Sequence, residues 1–224
     1  MRKVLGFLAL GALATASAWA GTLTWVTTLA ALSSNDSVSW DQLGPAFTTV
    51  ASPASVTSVN GLSMTVSDGG TLERRDQGSG WTGNFTFLDQ LLWNQDNGNP
   101  ITVVDLSAPI SGAGAQIQSD VYGSFTATIS AYNGSTLLGS FTENGVSTGA
   151  GDGSAIFIGL VDTSAEITSI GFSVTDVNGA NDFAIDTLYL NDSSTTSTPE
   201  PASLLLAGSA LMGLSLFSRK RRKI

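Results

Sequence analysis

The sequence predicts an all-β protein whose central domain is an antiparallel β-sandwich of the jelly-roll type. Many short segments between residues 22 and 190 are rich in Val, Ile, Thr and aromatic residues, and several of them alternate apolar with polar residues. Gly and Asn separate these segments at short spacing, as they do in sandwiches and barrels. We expect this domain to span residues 21–192, between an N-terminal signal helix and a C-terminal transmembrane helix.

Residues 1–20 read MRKVLGFLALGALATASAWA and have the organisation of a secretory signal peptide. A basic pair precedes an apolar stretch, and the segment ends in Ala-Trp-Ala, which fits an A-x-A cleavage site. The mature chain would then begin near Gly21. The alternatives are a retained membrane anchor and a buried helix.

The strand-like segments of the central domain follow one another with turn signals between them. In chain order they read TLTWVTTL, SVTSV, LSMTVS, ITVVDL, SFTATISAY, AIFIGLV, ITSIGFSVT and FAIDTLYL. Asn60-Gly61 and Asn133-Gly134 each separate two segments and predict a hairpin with a type I′ turn. Asn97-Gly98, Asn144-Gly145 and Asn178-Gly179 mark further turns. No helix is predicted between the two ends of the chain.

Composition and charge exclude several classes of function. The 224 residues include no Cys and no His, so disulfides, Cys nucleophiles, triads with an imidazole base and the usual zinc or copper sites are excluded. Any metal would be a hard cation bound by oxygens, with Ca²⁺ as the leading candidate. Residues 21–198 hold Arg74 and Arg75 against 17 acidic residues, a net charge of −15. Such a surface repels nucleic acid, and we expect no nucleic-acid partner.

The stretch ERRDQGSGW, residues 73–81, is a candidate ligand-binding site. It contains both arginines of the acidic domain and ends in Trp81. In a strand, Arg74 and Arg75 would point to opposite faces, so one could pair inward with a carboxylate and the other could meet solvent or ligand. An aromatic face and a guanidinium suit sugar recognition. The alternatives are a structural ion pair and a tryptophan that fills the core.

Acidic residues near the last strand form a candidate metal site. Asp176, Asp182 and Asp186, together with Asn178 and Asn181, supply the oxygen ligands that Ca²⁺ prefers, although their spacing matches no EF-hand. The alternative is that these side chains cap turns. Nothing in the sequence pairs two of the 17 acids as a catalytic acid and base, and we expect the protein not to be an enzyme.

The C-terminal region has three parts with different physical roles. Residues 193–198 are a Ser/Thr linker, and Pro199, Glu200 and Pro201 prevent a helix from starting before Ala202. Residues 202–217 carry no charge and would span about 24 Å as a helix, short for a bilayer core unless the membrane thins locally. A basic cluster follows, which would stay in the cytoplasm and stop translocation: Arg219, Lys220, Arg221, Arg222 and Lys223.

This arrangement, at residues 199–224, resembles the PEP-CTERM sorting signal of Gram-negative bacteria. The resemblance implies processing by an exosortase, a membrane enzyme associated with exopolysaccharide loci. It also implies export across the inner membrane, tethering by the C-terminal helix, and release to the cell surface or the extracellular space after processing. The same tail is sometimes labelled an ice-binding-protein C-terminal domain.

The central domain resembles the galactose-binding-like sandwiches of exported PEP-CTERM proteins. The resemblance rests on GAGAQIQSDVYGSFTATISAYNGSTLLGSFTENG, GSAIFIGLVDTSAEITSIGFSV and NDFAIDTLYL. We therefore expect a non-catalytic protein of the cell surface or of a biofilm or exopolysaccharide matrix. The alternative is a carbohydrate-binding module that acts on the exopolysaccharide and that bound Ca²⁺ could stabilise.

Overall fold

The structure, a computed structural model, describes residues 21–95, 98–104 and 106–192. These residues form two β-sheets that share one hydrophobic core. Their strands are β1 Leu23–Val26, β2 Asp36–Val38, β3 Thr49–Ala51, β4 Ala54–Thr57, β5 Ser63–Ser67, β6 Thr71–Gln77, β7 Gly80–Trp81, β8 Gln90–Trp93, β9 Ile101–Val104, β10 Gly112–Ser119, β11 Gly123–Asn133, β12 Thr136–Ser147, β13 Ile156–Asp162, β14 Ser169–Asp176, β15 Phe183–Ile185 and β16 Leu188–Asn191.

The larger sheet holds ten strands and the smaller sheet holds six. The larger sheet runs β1-β13-β10-β15-β8-β6-β3, with β16 between β10 and β2, and β7 beside β6. The smaller sheet runs β12-β11-β14-β9-β5-β4. The predicted all-β class and the two-sheet arrangement are confirmed, while the finer jelly-roll type stays a prediction. The strand pairs are antiparallel except β6–β7, which is a parallel pair that the sequence did not indicate.

The core lies between the sheets because their strands alternate apolar and polar residues. In β11, Phe125, Ala127 and Ile129 face the core, whereas Thr126 and Thr128 face outward. The outward positions of the smaller sheet continue this pattern with Ser and Thr on all six strands and carry no charged side chain. The smaller sheet therefore presents an uncharged hydroxyl face on an otherwise acidic domain.

Two short helices correct the expectation that no helix lies between the two ends. The helix α1 spans Leu29–Leu32, and a 3₁₀ helix spans Trp40–Leu43. The hydroxyl of Thr28 accepts a hydrogen bond from the Ala31 amide, which caps α1. One turn is too short to show an apolar period in the sequence, and Leu32 is buried against the sheet instead.

The hairpin turns differ from the predicted type I′. At Asn60-Gly61, only Gly61 has a positive φ, +92°, and the last strand pair is Thr57 with Ser63, so the loop covers residues 58–62 and is wider than a two-residue type I′ loop. The second hairpin pairs Asn133 with Thr136, so its two loop residues are 134 and 135 rather than Asn133-Gly134. The dipeptide Asn144-Gly145 lies inside β12 and makes no turn.

Of two further predictions, the turn at Asn178-Gly179 is confirmed and the single last strand is wrong. Asn178-Gly179 does lie in the turn after β14, where Gly179 has φ +73°. The segment FAIDTLYL, predicted as one strand, is divided into β15 and β16 at Asp186 and Thr187. Asn97 lies outside the described residues, as do the predicted signal peptide, linker and C-terminal region.

Candidate functional site

The strand β6 carries two arginine–carboxylate pairs on opposite faces. Residues two apart share a face of a strand, so Glu73 lies beside Arg75 and Arg74 lies beside Asp76. Arg75 Nε is 2.8 Å from Glu73 Oε1, and Arg74 Nη2 is 2.6 Å from Asp76 Oδ1. Neither pair of atoms has the geometry of a hydrogen bond, so each contact is an ion pair at short distance.

Arg74 lies on the core side of β6, on the same face as Leu72. Its side chain is only 2% exposed, and its Nη1 donates a hydrogen bond to the carbonyl oxygen of Arg75. A buried arginine persists when a carboxylate and backbone acceptors compensate its charge, as Asp76 does here. Arg74 is therefore the structural ion pair that the sequence left open as an alternative.

Arg75 lies on the outer face of the same strand, and its guanidinium lies over two aromatic rings. The guanidinium carbon is 4.8 Å from the centre of the Phe47 ring and 4.7 Å from that of Trp93. Nη1 also donates a 3.0 Å hydrogen bond to the Gly80 carbonyl oxygen. Stacking, together with the Glu73 ion pair, holds this side chain in one orientation although it is 18% exposed.

Arg75 and Trp81 line one small cavity, which brings these two predicted site residues together. Gly80, Trp93 and Asp120 complete its wall, and the volume is about 200 Å³. Gly80 has φ +94°, and a Cβ there would approach the Phe47 ring to 2.9 Å, so glycine permits the close packing of this turn. Arg74, the third predicted residue, does not line the cavity.

The base of the cavity is a second, smaller apolar cluster on the outer face of the larger sheet. Trp81 and Trp93 meet edge to face at 6.4 Å, and their side chains are 5% and 7% exposed. The other members of the cluster are Phe85, Leu91, Ala155 and Ala184. Within the described residues, the indole N–H groups of Trp81 and Trp93 have no hydrogen-bond partner. Both nitrogen atoms are themselves buried, and buried donors without partners are uncommon in folded proteins.

A polar network fastens the segment that carries Trp81 and Phe85 over the sheet. Gln77 donates to the Gly83 carbonyl oxygen at 3.0 Å and accepts from the Gly83 amide at 3.1 Å. Asn84 Oδ1 accepts from the Thr148 amide at 2.6 Å and from Gln118 Nε2 at 2.9 Å. These bonds fix the backbone after Trp81 without using the cavity residues themselves.

The sequence did not indicate Trp93 and Asp120 of the cavity wall, or Phe47, which packs on Arg75 beside it. These three residues come from distant parts of the chain, and Trp93 was notable only as one of several tryptophans. The register of β6 with β8 pairs Glu73 with Trp93, which sets that ring under the guanidinium of Arg75. Only the sheet register places these residues together.

The three aspartates of the candidate metal site have separate roles in the structure. Asp176 accepts hydrogen bonds from the amides of Asn178, Gly179 and Asn181 at 2.8–2.9 Å, which caps the turn after β14. Asp182 accepts from the Gly98 amide at 2.9 Å. Across the described residues, no three acidic side chains are grouped so that they could hold a metal ion. The turn-capping interpretation therefore describes Asp176.

Asp186, the third of these aspartates, is a buried carboxyl group with a perturbed proton affinity. Burial raises its pKa to about 8, although a hydrogen bond from the Gln116 amide at 3.0 Å acts in the opposite direction and the nearby Asp89 raises the pKa further. At neutral pH the side chain is therefore mostly protonated and uncharged.

Comparison with known proteins identifies the C-terminal region. A family model described as the PEP-CTERM protein-sorting motif matches residues 197–222. No curated protein and no solved structure matches the chain. The resemblance to galactose-binding-like sandwiches and the ice-binding label therefore stay predictions.

The matched segment includes Pro199, Glu200, Pro201 and most of the basic cluster, all outside the residues that the structure describes. In the described part of the chain, no helix has the length and apolar character needed to cross a bilayer. The predicted span at 202–217 also lies outside that part. The motif is that of a protein sorted to the cell surface by exosortase, a membrane enzyme.

Proposed function

We propose that this protein is a non-catalytic component of the cell surface or extracellular matrix and that it binds exopolysaccharide through the cavity beside Arg75. The observation that carries the proposal is the guanidinium of Arg75 at the cavity wall, which lies over the rings of Phe47 and Trp93, with the Phe47 ring itself 58% exposed. Aromatic rings stack on the C–H faces of sugars, and fixed N–H donors bond their hydroxyl groups.

The wall of the cavity favours binding over hydrolysis. Of its five residues, Asp120 is the one carboxylate, and glycoside hydrolysis in most families needs two carboxyl groups on either side of the scissile bond. The adjacent Glu73 is already engaged by Arg75 and by Gln95, whose Nε2 donates to it at 3.1 Å. Neither acid is therefore placed as one of a catalytic pair.

The last strand of the domain supports a role in surface display. β16 leads toward the sorting motif, and it lies inside the larger sheet, paired with β10 on one side and β2 on the other. Asn35 and Asp192 add two reciprocal hydrogen bonds of 2.7 Å just after this strand. A tether that leaves from an interior strand transmits load to the sheet, whereas an edge strand would peel away more easily.

The test is a sedimentation assay of the full-length protein with exopolysaccharide from the cells that produce it. Phe47→Ala removes one ring from Arg75 and should lower the bound fraction several-fold. Phe87→Ala is the matched control, since both rings are exposed, 58% and 67%, and lie beside glycines of the same turn, whereas Phe47 is the one of the two that makes the cation–π contact with Arg75. Equal binding by both variants would reject the cavity as the site and leave a structural matrix role without this glycan contact.

A further inference from the structure

The strand β12 is the longest strand of the described structure, and it lies at an edge of the smaller sheet. It has 12 residues and pairs with β11 on one side, while no described strand pairs with its other side. The other edge strands, β1, β2, β3, β4 and β7, have two to four residues each. A short edge strand limits pairing with another chain, whereas a long one offers a row of free backbone N–H and C=O groups. β12 is therefore the edge at which a further strand can add to this domain.

β12 has few of the features that protect an edge strand from pairing. It contains no Pro, Lys or Arg, and its one charged residue, Glu143, pairs with Ala127 on the core side of β11. The register with β11 shifts between Ala131 and Tyr132, near the hairpin, so residues 139–147 of β12 follow an unbroken register. The side chains that this stretch presents on the hydroxyl face are exposed and uncharged: Ser140, Thr142, Asn144 and Val146.

The charge of the domain favours a second copy of this chain as the partner at this edge. Two copies that each carry a net charge of −15 over residues 21–198 repel one another over most of their surfaces. They can approach closely where both surfaces are uncharged, as they are along β12 and the hydroxyl face beside it. Antiparallel pairing of β12 with itself is also self-complementary, because a two-fold axis brings the same groups of both copies together.

Glu143 restricts the register of such a pair. An axis at Glu143 would place two carboxylates directly opposite each other, which is destabilising. An axis at Thr142 avoids this contact and places Thr142 opposite its own copy on the hydroxyl face. It pairs residues 139–145 of both copies, which form about seven hydrogen bonds at one per residue, within the range of about 10 ± 5 for a specific interface.

We infer that two copies of this chain associate by antiparallel pairing of their β12 strands, with the two-fold axis close to Thr142. The pairing joins the two smaller sheets into one sheet with six strands from each copy. It also makes the two hydroxyl faces continuous. The association uses no residue of the cavity beside Arg75, so it is independent of glycan binding there.

Sedimentation velocity of the full-length protein in detergent tests this inference. The parent should form dimers, and Thr142→Lys should weaken dimerisation about tenfold, because it places two like charges across the pair. Thr128→Lys is the matched control, since Thr128 is the cross-strand partner of Thr142 on the same face, one strand further from the edge. In the dimer its two charges would be about 14 Å apart, three strand spacings, and largely screened by salt. Thermal unfolding verifies that each variant is folded.

Two further measurements distinguish pairing at β12 from a general effect of the substitution. An equimolar mixture of Thr142→Lys and Thr142→Glu should regain dimerisation that neither variant shows alone, because opposite charges then face each other. The chain contains no Cys, so Thr142→Cys should give a disulfide-linked dimer under mild oxidation and Thr128→Cys should not. A monomeric parent, equal dimerisation of Thr142→Lys and Thr128→Lys, or no recovery in the mixture would overturn the inference. Association through other parts of the chain is shared by all variants and gives this second, equal result.

Discussion

The protonated carboxyl of Asp186 links stability to pH at a single residue. Its pKa is about 8 in the folded protein and near 3.8 in an unfolded chain. Below both values the group is protonated in both states, so it makes no difference to the free energy of unfolding. Between them, rising pH ionises the unfolded chain and not the folded one, so stability falls across this window and levels off above about pH 8.

Asp186→Asn removes the ionisation and keeps an oxygen that can accept from the Gln116 amide. We expect the variant to be more stable than the parent at pH 8 and to lose this advantage toward pH 4, measured as midpoints of urea unfolding. Asp152→Asn is the control, because that carboxylate is exposed and its pKa is lowered by hydrogen bonds from Ser154. A constant difference between parent and Asp186→Asn at all pH values would contradict the assigned protonation state.

Arg74 and Arg75 illustrate what the sequence predicts at the scale of residues. Alternation along a strand predicted that they point to opposite faces, but not which of them points inward. In the structure, Arg74 shares the core face with Leu72. The partners of Arg75 could not be read in the same way. Phe47 and Trp93 reach it through pairings of β6 with strands on either side, and nothing local in the sequence encodes those registers.

At the scale of elements, the turn after β14 is organised by one side chain. Asp176 accepts hydrogen bonds from three backbone amides of that turn, so the carboxylate replaces strand partners that the turn residues lack. The sequence suggested both this role and a calcium site, because Asp and Asn are common in both. The positions of the amide hydrogens, which depend on the backbone, distinguish the two in the structure.

Asp176→Ala should destabilise the domain, because three amides lose their acceptor at a side chain that is largely buried. Loss of buried hydrogen-bond partners costs about 1–3 kcal/mol, measurable by urea unfolding in buffer with EDTA. Asn178→Ala, an exposed position in the same turn, is the matched control and should change stability little. If Asp176→Ala altered stability only when Ca²⁺ was present, the capping role would be wrong and a metal role would replace it.

At the scale of the whole molecule, the sequence predicted the features that lie in one contiguous segment or repeat along the chain. It did not predict the feature that combines residues from distant segments. The sorting motif is a contiguous segment whose parts act in chain order, so its residues could be named from the sequence and a family model matches them. The two-sheet fold followed from alternation repeated over many strands. The cavity, in contrast, combines residues from β6, β7 and β8 with Asp120 from the connection between β10 and β11, and it exists only after the larger sheet has formed.

The last prediction concerns β16, the strand from which the chain leads toward the sorting motif and which pairs with β10 and β2 inside the larger sheet. Asn35 holds the backbone of Asp192 by two hydrogen bonds, and its own amide donates to Leu190 at 3.0 Å, so the segment before β2 clamps the end of the domain. Asn35→Ala removes the two side-chain bonds and should destabilise the domain by about 1 kcal/mol. The larger effect should be local: amide hydrogen exchange at 188–192 should accelerate, while exchange in β11 should stay at the parental rate. Asn178→Ala again serves as the control. Unchanged protection at 188–192 would show that the pairings of β16 with β10 and β2 hold the exit strand without this clamp.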